Sequence, residues 1–260
     1  MTPSAEAEFG GRVEMDRPDN SSLSKKSIPK EERLIFALDV DSRSEAEALV
    51  EKLGENIVFY KIGLQLFMAG DFFGLLDWLT KQKKKVMVDL KFFDVPETVA
   101  AAVRQLKRKP AAEFVTVHGN DKILEAACRE KNGIKILAVT VLTSLDEADL
   151  KDLGFEVDVK TLVLSRARRA ADIGCDGIIA SGIEANDLKE EFGERVLIVC
   201  PGIRPIENIQ KDDQKRTVNV EEAFRNGADY IVVGRPIRDA PDPVMAAKDI
   251  QDRITNIFGS

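Results

Sequence analysis

The feature that most constrains this chain is a set of eight short runs that are apolar at nearly every position rather than at every second one. They are Leu34–Val40 (LIFALDV), Ile57–Gly63, Lys85–Phe92, Phe114–Gly119, Lys135–Ser144, Gly177–Gly182, Arg195–Ile203 and Tyr230–Ile237. A strand solvated on one face alternates apolar and polar residues. A continuous apolar run is buried on both faces, which requires parallel strands covered by helices. Amphipathic stretches lie between the runs, among them Ser42–Gly54, Val95–Lys109, Asn120–Glu130, Leu162–Gly174 and Val220–Gly227, and several end in glycine, a common helix stop. Eight such units in 260 residues predict an α/β fold, a single (β/α)8 TIM barrel, with an open doubly wound sheet as the structural alternative.

The first stretch, residues 1–31, is polar, contains Gly, Pro and Ser, and has no sustained periodicity, so it is expected to be a flexible N-terminal tail preceding a barrel domain over 32–260. A formal net charge of -7 argues against a nucleic-acid partner held by non-specific attraction, while leaving room for a small anion gripped by local basic groups. Cys128, Cys175 and Cys200 are widely spaced and lack CxxC spacing, which points to a reducing compartment. No apolar run approaches the length of a membrane span, and the N-terminus lacks the apolar core of a secretory signal. The cytoplasm is therefore the expected location.

In a barrel of this kind chemistry sits at the C-terminal ends of the strands. Polar residues fall at those ends with regularity: Asp39, Lys61, Asp89 with Lys91, His118, Thr143, Arg204 and Arg235. A charge inside an apolar run costs several kcal/mol, on the order estimated for buried ions, unless it is paired or used. These residues point to one polar site at the barrel mouth. The third run is the most informative. Asp89 and Lys91 are two apart on a strand, so their side chains are expected to leave the same face, and Asp94, just past the strand, can fold back to flank a lysine. With Lys61 from the neighbouring strand the signs alternate as Lys, Asp, Lys, Asp. A structural ion-pair cluster is the bland alternative. His118 is read as a packed neighbour or an acid–base group without a choice between them, Cys200 and Trp78 with Phe72 and Phe73 as core, and Lys81 with Lys83–Lys85 as a solvated turn.

The run DLKFFDVPET, Asp89–Thr98, resembles the signature D-x-K-x-x-D-[IV]-x-x-T of the orotidine 5'-phosphate decarboxylase family. The likeness extends from Arg33 to the last strand, through Asp39 in FALDV, Lys61 in FYKIG, Thr143 in VTVLTS, Arg204 in PGIRP, Gln214 in DDQKR and Gly234-Arg235 in VVGRP. The resemblance implies decarboxylation of orotidine 5'-phosphate to uridine 5'-phosphate in de novo pyrimidine biosynthesis, without metal or cofactor. It further implies that Lys61, Asp89, Lys91 and Asp94 form a charged network beside the ring and that Asp39 and Lys61 bind ribose hydroxyls. Thr143, or the adjacent Ser144, contacts the pyrimidine, and Arg204, Gln214, Gly234 and Arg235 hold or cover the phosphate. The implied assembly is a homodimer with shared active sites, in which Asp94 and Thr98 reach the neighbouring subunit's substrate.

The chemistry agrees with that assignment. Losing CO2 leaves a carbanion with little resonance help, so a fixed ammonium such as that of Lys91 is needed to stabilise the charge and then supply a proton. The glycine turn at Gly234-Arg235-Pro236 follows the strand after which barrels often hold phosphate, and the polar segment from Ile206 to Val218 reads as a lid. Two alternatives stand beside this reading. Magnesium-dependent sugar-phosphate lyases of the same superfamily share D-x-K-x-x-D but carry glutamate where this chain has Lys61, whose charge repels a cation. A catalytically silent barrel that only binds nucleotides or a protein partner has little reason to bury two lysines and two aspartates. A bifunctional synthase is not expected, because the stretch before Arg33 is too short for a phosphoribosyltransferase domain.

Overall fold

The computed structural model describes residues 20–204 and 217–259. Among these residues eight strands run parallel and close into a barrel in chain order. They are β1 (Leu34–Ala37), β2 (Phe59–Gly63), β3 (Lys85–Phe92), β4 (Ala112–His118), β5 (Lys135–Val139), β6 (Gly177–Ile179), β7 (Leu197–Cys200) and β8 (Tyr230–Val233). Closure is made by β1 against β8, with Leu34, Ile35 and Phe36 opposite Ile231, Val232 and Val233. That pairing removes both edges and rules out the open sheet.

The two-sided burial inferred from the apolar runs is met by two separate layers. Leu34, Phe36, Tyr60, Ile62, Val86 and Val88 point outward and pack beneath the helices. Ile35, Ala37, Phe59, Met87, Phe114, Leu137, Val139, Tyr230 and Val232 fill the barrel. Phe59, Phe114 and Tyr230 meet with ring centroids 5.0–6.0 Å apart and close its lower half. Removing one such ring costs on the order of 3–5 kcal/mol. The polar residues are thereby confined to the other end.

The helices start where local chemistry allows. Pro96 opens Pro96–Leu106, where its missing N–H costs nothing, and the Asp158 carboxylate accepts the Thr161 N–H to cap Val159–Ile173. Strands β1 and β5 stop several residues before the apolar runs do, because pairing ends at the mouth while burial continues into the loops. Among the described residues no helix is long and apolar enough to cross a membrane.

The start of the folded part differs from expectation. Residues 24–31, placed in a flexible tail by their composition, are tied to the barrel's N-terminal end. Buried Ser24 donates to the Asp229 carboxylate, and Lys26 Nζ lies 2.9 Å from the same group. The Arg33 guanidinium lies 3.8 Å from the Phe258 ring centroid. Hydropathy periodicity carries no trace of such polar anchoring, because each contact depends on one residue rather than on a pattern. Residues 1–19 lie outside the described part.

Candidate active site

The C-terminal ends of the strands surround a cavity of about 630 Å³, within the range of small-molecule sites. Its described lining includes Asp39, Lys61, Asp89, Lys91, Thr143, Ser144, Arg204, Gly234 and Arg235, all expected from the sequence. Charged side chains from the loop after β1 and from β2 and β3 meet there. Lys61 Nζ stands 3.1 Å from Asp39 Oδ1 and 3.5 Å from Asp89 Oδ2, and Lys91 Nζ stands 2.9 Å from Asp89 Oδ1. The Lys91 side chain keeps 37% exposure against 11% for Asp89, so the ammonium rather than the carboxylate faces a ligand.

Burial opposes the Lys61 charge, and the Asp89 and Asp39 carboxylates outweigh it, so the Lys61 pKa lies above the ordinary lysine value. Burial likewise works against ionised Asp89. Lys61, Lys91 and the hydrogen bonds from Lys91 and Thr116 prevail, and the Asp89 carboxyl titrates below its ordinary value. Lys61 and Asp89 are therefore both charged at neutral pH. His118, at the end of β4, is pushed below the ordinary histidine pKa by burial and by the Arg166 and Lys91 charges. It packs edge-on to Phe93 with centroids 5.5 Å apart.

Asp89 and Lys91 do meet, but not through strand alternation. Val88 pairs with Val115 and Phe92 with Val117, so β3 bulges between them, and Lys91 adopts a left-handed φ of 46°. For a residue with a side chain such a conformation costs on the order of 1–3 kcal/mol and persists only where the surroundings impose it. Asp94 also departs from expectation. It does not fold back to flank a lysine of its own chain. Its Oδ1 accepts the Val95 N–H at 2.6 Å, just before Pro96 starts the next helix. Asp94 and Thr98 are exposed and stand outside the described cavity lining. Gln214 and residues 206–216 of the expected lid, Ile206 to Val218, lie outside the described residues, and its last residue, Val218, is buried in a bridge with Ile203.

Three residues that sequence reasoning passed over belong to the site. Thr116, on β4, donates to Asp89 Oδ1 at 2.9 Å; the one hydroxyl in the apolar run FVTVHG was its signal. Gly63 ends β2 beside the network, where a Cβ would sit in ordinary contact, 3.4 Å from Lys61 Nζ and 3.5 Å from the Asp89 carbonyl. Arg238 lines the cavity and donates from Nη1 to the Asp39 carbonyl at 2.7 Å. It follows Arg235 by three residues on the short helix Arg235–Arg238, a spacing that puts both on one face. Gly234, which precedes that helix, sits in a tight spot, since a Cβ there would lie 3.3 Å from the Ala37 Cβ. Among the described residues no three His, Cys, Asp or Glu side chains gather as a metal site.

A family model for orotidine 5'-phosphate decarboxylase / HUMPS matches residues 32–250. The chain belongs to that family. Relatives within the orotidine 5'-phosphate decarboxylase / HUMPS family include the orotidine 5'-phosphate decarboxylase of Methylococcus capsulatus, 60% identical over 238 residues that cover 92% of this chain and 98% of the relative. The enzyme of the same name from Xanthomonas euvesicatoria is 50% identical over 225 residues, 86% of this chain and 92% of that one. Among solved structures, orotidine 5'-phosphate decarboxylase from Lactobacillus acidophilus matches with a TM-score of 0.75 and 32% identity, over 86% of this chain and 99% of that one.

Proposed function

We propose that this chain decarboxylates orotidine 5'-phosphate to uridine 5'-phosphate in de novo pyrimidine biosynthesis, using its own charged side chains and no metal or cofactor. The observation that carries the reading is the Lys91 ammonium, 2.9 Å from a buried carboxylate and open to a cavity whose lining also holds Arg204 and Arg235. The bond from C6 to the carboxylate breaks, CO2 leaves, and the electron pair remains on C6. Lys91 stabilises that pair electrostatically and then transfers its proton to the carbon. Asp89 stands beside the departing carboxylate and orients Lys91. Asp39 and Lys61 bind the ribose hydroxyls, Thr143 with neighbouring Ser144 contacts the pyrimidine, and Arg204, Gln214, Gly234 and Arg235 hold the phosphate.

In this reading the working unit is a homodimer in the cytoplasm, with Asp94 and Thr98 completing the neighbour's site. Two features support it: Leu64, Met68, Phe93 and Val95, which follow β2 and β3, are all exposed apolar side chains, and Cys128, Cys175 and Cys200 are free thiols.

The direct test is the loss of orotidylate ultraviolet absorbance when purified protein is added in metal-free buffer. No loss would overturn the reading. The family also takes in sugar-phosphate enzymes, and Lys61 discriminates, since its ammonium lies between Asp39 and Asp89 where a divalent cation would have to stand. Activity abolished by EDTA and restored by magnesium would favour that branch instead.

The phosphate assignment has its own expectation. Arg235→Ala lowers kcat/KM roughly 100-fold, as expected for a lost charge-assisted pair worth about 3 kcal/mol, and far less than Lys91→Ala does. With the phosphate-free nucleoside the variant and the wild type react alike, and phosphite dianion raises wild-type turnover of that nucleoside because phosphate binding energy positions the ring. Equal losses on both substrates would separate Arg235 from the phosphate.

A further inference from the structure

Thr116 is wholly buried in a run that is otherwise apolar. Across from it β3 carries surplus residues: Asp89, Leu90 and Lys91 lie between Val88 and Phe92, while on β4 only Thr116 lies between their partners Val115 and Val117. A bulge of this kind strips backbone groups of their ladder partners, and a buried N–H must find another acceptor. Here the acceptor is the Thr116 hydroxyl, which takes the Lys91 N–H at 3.0 Å and donates its own hydrogen to Asp89 Oδ1 at 2.9 Å. The same Oδ1 accepts from Lys91 Nζ at 2.9 Å. One hydroxyl therefore ties the Lys91 backbone to the carboxylate that orients the Lys91 side chain, and it does so where the backbone is left-handed.

We propose that Thr116 is a positioning residue, its hydroxyl holding the β3 bulge in the form that aims the Lys91 ammonium. It touches neither cavity nor substrate and works through Lys91 and Asp89. The proposal rests on the assignment of Lys91 as the acid. Valine has the shape of threonine but neither accepts nor donates, so Thr116→Val keeps the packing, orphans the Lys91 N–H and removes a donor from Asp89.

The experiment compares wild type, Thr116→Val and Thr116→Ser by kcat, KM, affinity for uridine 5'-phosphate and unfolding midpoint. Thr116→Val is expected to lower kcat about 10- to 100-fold, the size associated with a group displaced by roughly 1 Å, with KM and product affinity changed less than about threefold. Thr116→Ser restores kcat to within about threefold of wild type, because it returns the hydroxyl alone. Wild-type kcat in Thr116→Val, a rise in KM alone, or a serine variant as slow as the valine variant at equal unfolding midpoints overturns the proposal. If Thr116→Val is not obtained folded, Thr116→Ala removes the same hydroxyl and carries the same expectation. Should wild type fail to decarboxylate orotidine 5'-phosphate, the functional reading falls and crystal structures decide the positioning claim. A Thr116→Val structure that keeps Lys91 left-handed with Nζ on Asp89 refutes it, and a relaxed bulge with a displaced ammonium supports it.

Discussion

Lys91→Ala is expected to reduce kcat by a factor of at least about 10⁴, because it removes both the charge that stabilises the C6 carbanion and the proton that replaces CO2. Each role by itself is worth on the order of 10²–10⁴, and alanine supplies neither. The variant still binds ligand, since Lys91 acts on charge that is absent in the ground state. Product affinity should therefore survive while turnover disappears, the signature of an interaction made only in the transition state. The fold should survive as well: Lys91 is a partly exposed side chain, and Asp89 retains Lys61 at 3.5 Å and the Thr116 hydroxyl at 2.9 Å. Retention of more than about a tenth of wild-type kcat, a loss below roughly 1.4 kcal/mol, would remove Lys91 from the centre of the mechanism.

Asp94→Ala is expected to be as inactive as Lys91→Ala when each is assayed alone, and a mixture of the two is expected to recover roughly a quarter of wild-type activity, as follows from a two-fold dimer. Asp94 is exposed and lies outside the described cavity lining of its own chain, which supports a role toward a neighbour. If each site takes Lys91 from one protomer and Asp94 from the other, a mixed dimer holds one doubly damaged site and one intact site. Random exchange makes about half the dimers mixed, with about half their sites whole. The subunits must first be exchanged by dilution or mild denaturant, and the mixed dimers verified by tagging one variant. Verified heterodimers without recovered activity would show that Asp94 serves its own chain.

Much of the architecture was legible before any coordinates, for a physical reason. Burial on both faces of a strand leaves a continuous apolar run, and eight such runs separated by amphipathic stretches have few ways to bury both faces. A charge within such a run is costly, so Lys61 and Asp89 announced themselves by their surroundings. The boundary near residue 31 was less legible, because Ser24 and Lys26 bind Asp229 through single polar contacts that leave no periodic trace.

Composition and periodicity predicted an α/β barrel with an open sheet as its alternative, and marked the end that carries the site and most of the charged residues there, while the β1–β8 pairing decided closure and Arg238 came into view only in the fold. Those properties follow from the free energy of burial, which each residue type carries wherever it stands. Only the tertiary structure decided how the charges meet. Strict alternation would carry Asp89 and Lys91 to one face along a regular strand, yet β3 bulges between Val88 and Phe92 and Lys91 turns left-handed. The Thr116 hydroxyl accepts the Lys91 N–H at that bulge, and Asp94 is exposed instead of folded back onto a lysine. Each of these depends on the register between neighbouring strands. Register is a relation between strands far apart in the chain, so no local stretch of chain contains it.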